Sequence, residues 1–501
     1  MSSKILIIVL IWQQVSIATS TIENNDVDPG KTILWGPGLS PVKITMKLRY
    51  IFLQLVDFNG QNLTHSPSPG DDIILATIKG KTMNDQPCYV WTQILDCKDG
   101  SFIILYKIFN TCYNIQIDIK ISQKSVPLFS NIFIGPAYED ECYCPSPKQD
   151  WIDHNQCNNH SQINEDLLKF PSVDFNQIRH KIIHKFHQPE RISICHYVVK
   201  TNKIYKQCYG KYVGFSKFVD SILLSLARKL ILPDIEFFVN LGDWPLVEKK
   251  EEPYPIFSWC GSSETLDILM PTYDITDSCL ESMGGSVRNI LTVQSNTDTL
   301  WQSKIEKVFW RGRDSRRERL DLIEIARKNP DLFNVSITNF FFFKDEIEKY
   351  GPGQGYVSFF HFFKYKYQLN IDGTVAAYRF PYLLAGDSVV FKQDSPYYEH
   401  FYKSLKSGEH YISVKRDLSN LVEQIKWAKK HDKEVKKISR TARQFVRDNL
   451  LPQHIFCYYA VLFNEWSKRL MSQVKVLDNM EEVKQSEHFC RCHLNHFKDE
   501  L

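Results

Sequence analysis

Residues 309–325 read FWRGRDSRRERLDLIEI, which places five arginines within nine positions, from Arg311 to Arg319. The cluster follows a short apolar run and precedes apolar residues at helical spacing, so it lies between a predicted strand and a predicted helix. Arginine is always charged and carries planar donors that match phosphate oxygens. A solvated basic face is the simpler explanation of a charge run taken alone. A second basic segment further along favours a cleft that holds a polyanion.

The second basic segment runs from Lys364 to Lys392. Its predicted elements are a strand over Tyr365–Ile371, a turn with a helix N-cap at Asp372-Gly373-Thr374, a helix from Val375 that stops at Gly386, and a strand over Ser388–Phe391. Strand, short loop, helix and strand form half of a nucleotide-binding sheet. The helix start would offer backbone N–H groups to an anion, with Arg379 close by. Pro381 lies inside the helix pattern and predicts a kink or an early break.

The two ends of the chain resemble targeting signals. Residues 1–20 carry one lysine, an apolar run from Ile5 to Trp12 and small residues at Ala18 and Ser20. The apolar run is too short to cross a bilayer, so we predict a cleaved signal peptide and no membrane span elsewhere. The last four residues, Lys498, Asp499, Glu500 and Leu501, spell the ER-retrieval signal. Together the two ends predict a protein of the endoplasmic reticulum lumen.

The composition agrees with that compartment. Thirteen cysteines suit an oxidising environment. Sequons predict N-glycosylation at Asn62, Asn159 and Asn334. A formal net charge of +3 on 501 residues makes the basic clusters local, so we expect no nucleic-acid partner.

Short alternating runs fill the first part of the chain. They predict seven strands, over Val42–Leu48, Tyr50–Val56, Ile73–Ile78, Cys88–Leu95, Ser101–Ile108, Asn114–Ile121 and Asn131–Ile134. This number of short strands is typical of an immunoglobulin-like sandwich. We therefore predict a β-sandwich over residues 27–136. Gly36-Pro37-Gly38-Leu39 and Asp99-Gly100-Ser101-Phe102 resemble filamin-type repeats.

Cysteines mark the boundary after this domain. Cys142, Cys144 and Cys157 could bind zinc, but no compact set of four ligands is near, so disulfides are favoured. We predict a cysteine-containing linker over residues 137–188. Cys195 and Cys208 flank a predicted hairpin, which favours a cross-strand disulfide between them.

A last pair of cysteines, Cys490 and Cys492, lies in the tail, predicted over residues 476–501. It offers the redox pair that a thiol oxidoreductase would need. The Cys-x-x-Cys spacing of thioredoxin is absent from the chain.

Residues 189–475 predict an α/β unit. Its further elements are strands over Ile235–Asn240 and Ile256–Gly261 and helices over Phe218–Leu230, Leu418–Lys430, Glu434–Leu450 and Ile455–Leu470. Ligands of a doubly wound sheet bind beyond the carboxyl ends of its strands, and Asp243 lies three residues after the strand end at Asn240, in a Gly-Asp-Trp-Pro turn. Asp243 is either a catalytic carboxylate or a residue that only shapes this turn. Asp394 and Glu399 follow the last clear strand and could bind a ribose, or replace Asp243 as the base.

Four stretches carry a resemblance to a known family. They are Gly242–Pro245, Trp310–Ser315 with Glu318-Arg319, Thr338–Lys344 and Ile371–Arg379. These motifs resemble the KDEL-motif-containing branch of the protein O-glucosyltransferases, the Rumi-like family of ER enzymes. The filamin-like front domain and the Lys-Asp-Glu-Leu end are also this branch's layout, so the resemblance covers nearly all of the mature chain.

The resemblance implies a multidomain protein, in which an N-terminal β-sandwich precedes an α/β GT-B-like glycosyltransferase of two Rossmann-like halves. It implies inverting transfer of glucose from UDP-glucose to serine hydroxyls of folded EGF-like repeats, in partners such as Notch-type receptors. No metal or other cofactor is expected, and the KDEL receptor is the implied retrieval partner. A catalytically inactive client-binding protein and a xylosyltransferase remain the alternatives.

Site residues follow from the same motifs. The family's catalytic aspartate falls on Asp243 and its donor-binding arginine on Arg319. Its nucleotide loop falls on Thr374, Val375, Ala376, Ala377, Tyr378 and Arg379. Arg313 stands where the better-known branch uses a serine, and we keep it as a candidate UDP-sugar contact. The resemblance also implies that Cys457 joins the set of Cys142, Cys144 and Cys157.

Overall fold

A computed structural model describes residues 27–43, 47–67, 73–121, 127–158, 160–191, 194–280, 290–295, 299–355, 357–486, 490 and 492. The predicted signal peptide, the sequon residue Asn159 and the tetrapeptide Lys498–Leu501 lie outside these residues, so those predictions stay predictions. Within the described ranges, every helix is too short or too polar to cross a bilayer.

The amino-terminal domain consists of two antiparallel sheets. Its strands are β1 (Ile33–Trp35), β2 (Arg49–Gln54), β3 (Ile74–Lys81), β4 (Val90–Asp96), β5 (Ser101–Ile108), β6 (Tyr113–Ile121) and β7 (Pro127–Phe133). The strand orders are β1-β2-β5-β4 and β3-β6-β7. Along β6, alternate isoleucines from Ile115 to Ile121 are buried, as expected for a strand with one face on a core.

One predicted strand of this domain is wrong. Pro41–Lys43, at the start of the predicted Val42–Leu48 strand, form a 3₁₀ turn. Pro41 has no N–H to donate to a ladder, which disfavours pairing there. The first strand of the domain is instead β1, which pairs antiparallel with β2.

The segment predicted as a linker contains three helices: α1 (Lys148–His154), α2 (Ser161–Leu168) and α3 (Phe175–Phe186). Asp174 caps α3, because its carboxylate accepts a hydrogen bond from the backbone N–H of Asn176 at 3.0 Å. Trp151, Leu167 and Phe175 are buried in the same core as the following sheet. The segment is therefore part of the α/β body.

The first α/β sheet is mixed. Its region contains β8 (Ile194–Lys200), β9 (Lys203–Cys208), α4 (Ser216–Lys229), β10 (Ile235–Asn240), β11 (Ile256–Ser258), β12 (Gly261–Ser262), β13 (Ile268–Leu269), α5 (Tyr273–Leu280) and α6 (Ile290–Ser295). β10, β11 and β13 are parallel, whereas β8 and β9 form an antiparallel hairpin beside β10. The hairpin departs from the Rossmann-like half that the resemblance implies.

The second sheet is parallel throughout. Its region contains β14 (Ile305–Gly312), α7 (Arg317–Lys328), β15 (Phe333–Ile337), α8 (Ile347–Tyr350), β16 (Tyr365–Asn370), α9 (Phe380–Ala385), β17 (Val389–Gln393), β18 (Tyr397–Tyr398) and β19 (Ile412–Val414). The sheet order is β15-β14-β16-β17-β19. All residues of β16 and β17 are buried, which is typical of parallel strands covered on both faces. β18 is not part of this sheet. It pairs with β12 of the first half, so a short two-stranded ladder joins the two halves.

The closing elements divide between the two halves. They are α10 (Leu421–Lys430), α11 (Asp432–Asn449), α12 (Pro452–Ser467) and β20 (Glu481–Val483). α10 and α11 pack on the second half, against β19, β17 and α9, and the chain then returns to the first half with α12 and β20. The indole of Trp466 on α12 donates a hydrogen bond to the carbonyl of Glu236 in β10 at 2.9 Å. β20 pairs with β9 and extends the first sheet. The second half is therefore inserted between parts of the first.

Five disulfides are present in the described part of the chain: Cys88–Cys112, Cys142–Cys490, Cys144–Cys492, Cys157–Cys457 and Cys195–Cys208. The predicted Cys195–Cys208 bridge and the inclusion of Cys457 in the boundary set are confirmed. The proposed redox pair is wrong, because Cys490 and Cys492 belong to two separate bridges. The zinc alternative is wrong as well, since all three boundary cysteines are bonded to other cysteines.

Buried ion pairs at Asp140 hold the boundary segment against α4. The Asp140 carboxylate lies 2.6 Å from the ammonium of Lys229, which is 2% exposed, and 3.3 Å from the guanidinium of Arg228. Burial alone would raise the pKa of Asp140, but Lys229 and Arg228 outweigh it and hold that pKa below its usual value. The stabilisation is therefore present at neutral pH and is lost as pH falls through the lowered folded-state pKa.

We predict that Asp140→Asn lowers the free energy of unfolding by about 3 kcal/mol, because Lys229 would remain buried without a counter-charge. Urea denaturation at pH 7 measures this change. The matched control is Asp85→Asn, which breaks an exposed pair with Lys81 and should cost less than about 1 kcal/mol. Equal effects of the two variants would contradict the prediction.

Candidate functional site

A cavity of about 490 Å³ opens where β14, β15 and β16 end. Its lining residues come from both basic segments and from the loop before β16: Arg311, Gly312, Arg313, Ser315, Arg319, Thr338, Val357, Ser358, Phe359, Phe362 and Arg379. The size is that of a small-molecule site, and four arginines make it strongly cationic. The structure therefore brings the two arginine-containing segments together, as the sequence predicts.

Arg319 is a buried residue that lines one side of this cavity. Its guanidinium donates hydrogen bonds to the carbonyls of Asp372 at 2.7 Å, Arg313 at 2.9 Å and Ile371 at 3.1 Å. Burial, and then the nearby Arg379, lowers the pKa of Arg319 to about 9, which leaves it protonated at neutral pH. Most of its donors are used to tie the loop after β14 to the loop after β16, so its first role is to shape the cavity.

The predicted helix start after Thr374 is wrong. Residues 373–379 form a turn, and α9 begins only at Phe380. Pro381 stands in the first helical turn, where a missing N–H leaves no bond unmade, so the predicted kink is absent from α9. The anion-binding role assigned to a helix start at this position therefore has no support.

The loop itself still borders the site. Val375, Ala376 and Ala377 are buried in it, whereas Thr374 and Tyr378 are partly exposed. Arg379 lines the cavity, and its guanidinium donates to the carbonyl of Arg311 at 2.5 Å. Arg313, which is exposed, lines the cavity as well.

Asp243 lies in the turn after β10, on the first half. Asn240 holds this turn: its side-chain oxygen accepts from the N–H of Gly242 at 2.8 Å, and its side-chain nitrogen donates to the carbonyl of Trp244. One carboxylate oxygen of Asp243 is buried and has no hydrogen-bond partner among the described residues. Burial raises the pKa of Asp243, and a hydrogen bond with Tyr273 acts in the opposite direction.

A short chain of contacts connects Asp243 to the arginine cavity. The ring of Tyr273 packs edge-on against the ring of Tyr378, with centroids 5.5 Å apart. Tyr378 is the residue before Arg379, and its pKa is raised by burial and further by Asp243. Cys260 donates to the carbonyl of Asp243 at 3.2 Å from the same side. Asp243 is therefore connected to the cavity-lining Arg379 from the facing half, through Tyr273 and Tyr378.

The two alternative acids fit the role of a base less well. Asp394 is exposed and accepts a hydrogen bond from Ser413 at 2.7 Å, at the far side of β17. Glu399 is fully buried, and this burial raises its pKa to about 8, so it is protonated at neutral pH. A protonated acid cannot accept a proton, which leaves Asp243 as the best-placed base.

Two of the sequon residues lie in the described part of the chain. Asn62 is exposed. Asn334 lies in β15, and its side chain donates to the hydroxyl of Tyr365 at 2.6 Å and accepts from Arg311 at 2.7 Å. N-glycosylation at Asn62 and Asn334 stays a prediction.

A cationic cavity at the carboxyl ends of a parallel sheet, with a carboxylate on the facing half, has the charge distribution that a transferase with an anionic donor such as a nucleotide sugar needs. Residues 153–499 match glycosyl transferase family 90, and the chain belongs to this family. The match begins before the predicted start of the enzyme domain at residue 189, which agrees with the helical boundary segment.

Named relatives agree with the family. Protein O-glucosyltransferase 2 of Danio rerio is 46% identical over 478 residues, which cover 94% of each chain. Protein O-glucosyltransferase 3 of Homo sapiens is 42% identical over 476 residues, or 93% of each chain. Protein O-glucosyltransferase 1 of Homo sapiens is 30% identical over 330 residues, which cover 63% of this chain and 81% of the relative. The first two matches therefore include the amino-terminal domain.

We predict different effects for the two cavity arginines. Arg379→Ala should weaken UDP binding by about 1.5–3 kcal/mol, the usual value of a charged hydrogen bond, and should lower the unfolding temperature less than Arg319→Ala does, because Arg379 is less buried. Arg319→Ala should weaken UDP binding and also lower the unfolding temperature, because buried carbonyls lose their donors. Calorimetric titration with UDP and thermal scans of both variants measure this. Unchanged UDP affinity in Arg379→Ala would remove that residue from the site.

Proposed function

We propose that this protein transfers glucose from UDP-glucose to serine hydroxyls of folded EGF-like repeats in the endoplasmic reticulum lumen. The repeats belong to secreted or membrane proteins such as Notch-type receptors. The main support for this proposal is the position of Asp243 near a cavity that four arginines line. One carboxylate oxygen of Asp243 is buried and has no hydrogen-bond partner among the described residues. The names of the relatives support the transferred sugar and the protein acceptor, and the Lys-Asp-Glu-Leu end supports the compartment. In this proposal the two α/β halves form a GT-B-like enzyme behind a filamin-like sandwich.

Asp243 acts as the general base. A serine hydroxyl is a poor nucleophile, so a carboxylate must accept its proton as the oxygen attacks the sugar. The hydrogen bond with Tyr273 orients the carboxylate and leaves the other oxygen for the hydroxyl. Attack from the face opposite the departing UDP inverts the anomeric centre.

The arginine wall stabilises the leaving group. UDP gains negative charge as the bond to glucose breaks, and fixed cations that face this charge lower the barrier. Arg311, Arg313 and Arg379 line the cavity, and the buried Arg319 holds their loops in place. We propose that these cations replace a divalent metal, so that transfer needs no added cofactor.

We predict that Asp243→Asn folds, binds UDP-glucose and loses transfer by about 10²–10⁴-fold, the usual contribution of a general base. The assay incubates the purified protein with UDP-glucose and a folded EGF-like repeat and measures a hexose mass increment on the repeat. UDP-xylose in a parallel reaction tests the sugar, and EDTA tests independence of metal.

The same assay separates the alternatives. Near-normal turnover of Asp243→Asn would refute the base assignment. Binding of the repeat by the wild-type protein without any mass increment would favour an inactive client-binding protein. A pentose increment that exceeds the hexose increment would favour a xylosyltransferase.

The pH dependence provides a further prediction. Transfer requires the carboxylate form of Asp243, so activity should fall as pH decreases through its raised pKa. Tyr273→Phe removes the hydrogen bond that lowers this pKa, and we expect the acid limb of kcat against pH to move to higher pH. Profiles of the wild type and Tyr273→Phe measure the shift. A shift to lower pH, or none, would show that Tyr273 does not act on Asp243.

A further inference from the structure

Trp244, the residue after Asp243, has a side chain that the turn does not need. Asn240 holds this turn through main-chain groups, and the indole of Trp244 remains 48% exposed. Five other tryptophans are at most 7% exposed, namely Trp151, Trp259, Trp301, Trp310 and Trp466. A single exposed aromatic residue is ordinary on a protein surface. Its position beside the proposed base and its contact across the cleft distinguish Trp244.

That contact is with the second half. The ring of Trp244 packs edge-on against the ring of Tyr397 in β18, with centroids 6.4 Å apart. On the other side, the guanidinium of Arg316 lies 5.4 Å from the ring centroid of Tyr397. Arg316 precedes α7 and follows Ser315, which lines the donor cavity. The three side chains thus form a continuous platform from the base to the arginine motif.

Hydrogen bonds and an ion pair hold Tyr397 and Arg316 of this platform in place. The N–H of Tyr397 donates to Ser395 at 2.9 Å, and Ser395 donates to Asp372, whose carboxylate also lies 3.7 Å from Arg316. β18 itself, which contains Tyr397, is held by its ladder with β12. A preformed surface of this kind binds with little ordering cost.

We propose that Trp244, Tyr397 and Arg316 form the docking platform for a folded acceptor protein that presents an apolar side chain next to the modified hydroxyl. Tryptophan, tyrosine and arginine are the residue types that dominate binding energy in protein interfaces. Trp244 directly follows Asp243 in the turn after β10, so its exposed indole lies close to the point at which an acceptor hydroxyl would meet the proposed base. The proposal rests on the proposed function and adds the surface that selects the acceptor.

The test is steady-state transfer at saturating UDP-glucose with varied concentrations of a folded EGF-like repeat. Trp244→Ala should raise the KM for the repeat about tenfold or more, with kcat changed less than about threefold, because the ring acts in binding. Its UDP affinity by calorimetry should equal that of the wild type, since the indole is not among the residues that line the donor cavity. Trp244→Phe should restore most of the KM, and Tyr397→Leu should raise it.

Trp91→Ala is the matched control. Trp91 is 41% exposed on β4 of the amino-terminal domain, away from the cleft, and its removal should leave the KM for the repeat unchanged. An unchanged KM in Trp244→Ala overturns the proposal. A lower kcat at unchanged KM also overturns it, because Trp244 would then only position Asp243.

Failure of the proposed function is distinguishable from failure of this inference. If the wild type transfers no sugar, the proposed function fails, and the platform is then tested by direct binding of the repeat to the wild type and to Trp244→Ala. Equal binding of the two proteins would overturn the platform. If the wild type transfers normally and the variants do not differ, the platform alone fails.

Discussion

The buried guanidinium of Arg319 organises the site. A charge taken out of water is costly unless polar groups surround it, and three main-chain carbonyls from the ends of β14 and β16 do so here. The loop between β14 and α7 contains Asp314. This residue is fully buried and accepts hydrogen bonds from the N–H groups of Phe341, Phe342 and Phe343 at 2.7–2.8 Å. One cation and one carboxylate from a single motif therefore fix the loops at the ends of three neighbouring strands. Arg311 and Arg379 also donate to main-chain carbonyls at the cavity edge, to those of Trp310, Asn334 and Arg311, so part of the cationic lining is held by the same strand ends.

Connections between the two halves determine the position of Asp243, the proposed base. The antiparallel pairing of β12 with β18 brings residues 261–262 of the first half against residues 397–398 of the second. Tyr273 reaches across the same gap to Tyr378 while its hydroxyl binds Asp243. The position of Asp243 relative to Arg379 therefore depends on the closed contact of the halves. A base on one half and a cationic wall on the other can work together only while that contact holds.

Much of the fold was predictable because its signals are local. The strand over Ile235–Asn240 and the helices that close the chain follow from apolar periodicity and lie within a few residues of their predicted bounds. The start of α9 was missed because Pro381 suits a first helical turn as well as a break in an interior. The partners of Cys142 and Cys144 were missed because they lie 348 residues away, a distance that spacing cannot bridge. No sequence motif pointed to Tyr273, because its role depends only on its tertiary contacts with Asp243 and Tyr378.

The amino-terminal domain is attached to the half that contains the nucleotide loop. On α11, Arg443 lies 3.1 Å from the carboxylate of Asp99, and Arg447 donates to the hydroxyl of Ser101 at 3.1 Å. Both arginines are nearly buried, whereas the Asp99 side chain is 36% exposed, so these contacts lie at the edge of the interface between the amino-terminal domain and α11. The opposite side of α11 packs against α9 and β17, directly behind the loop that ends at Arg379. The amino-terminal domain therefore packs directly against the α/β body, and its contacts reach the helix that lies behind the loop ending at Arg379.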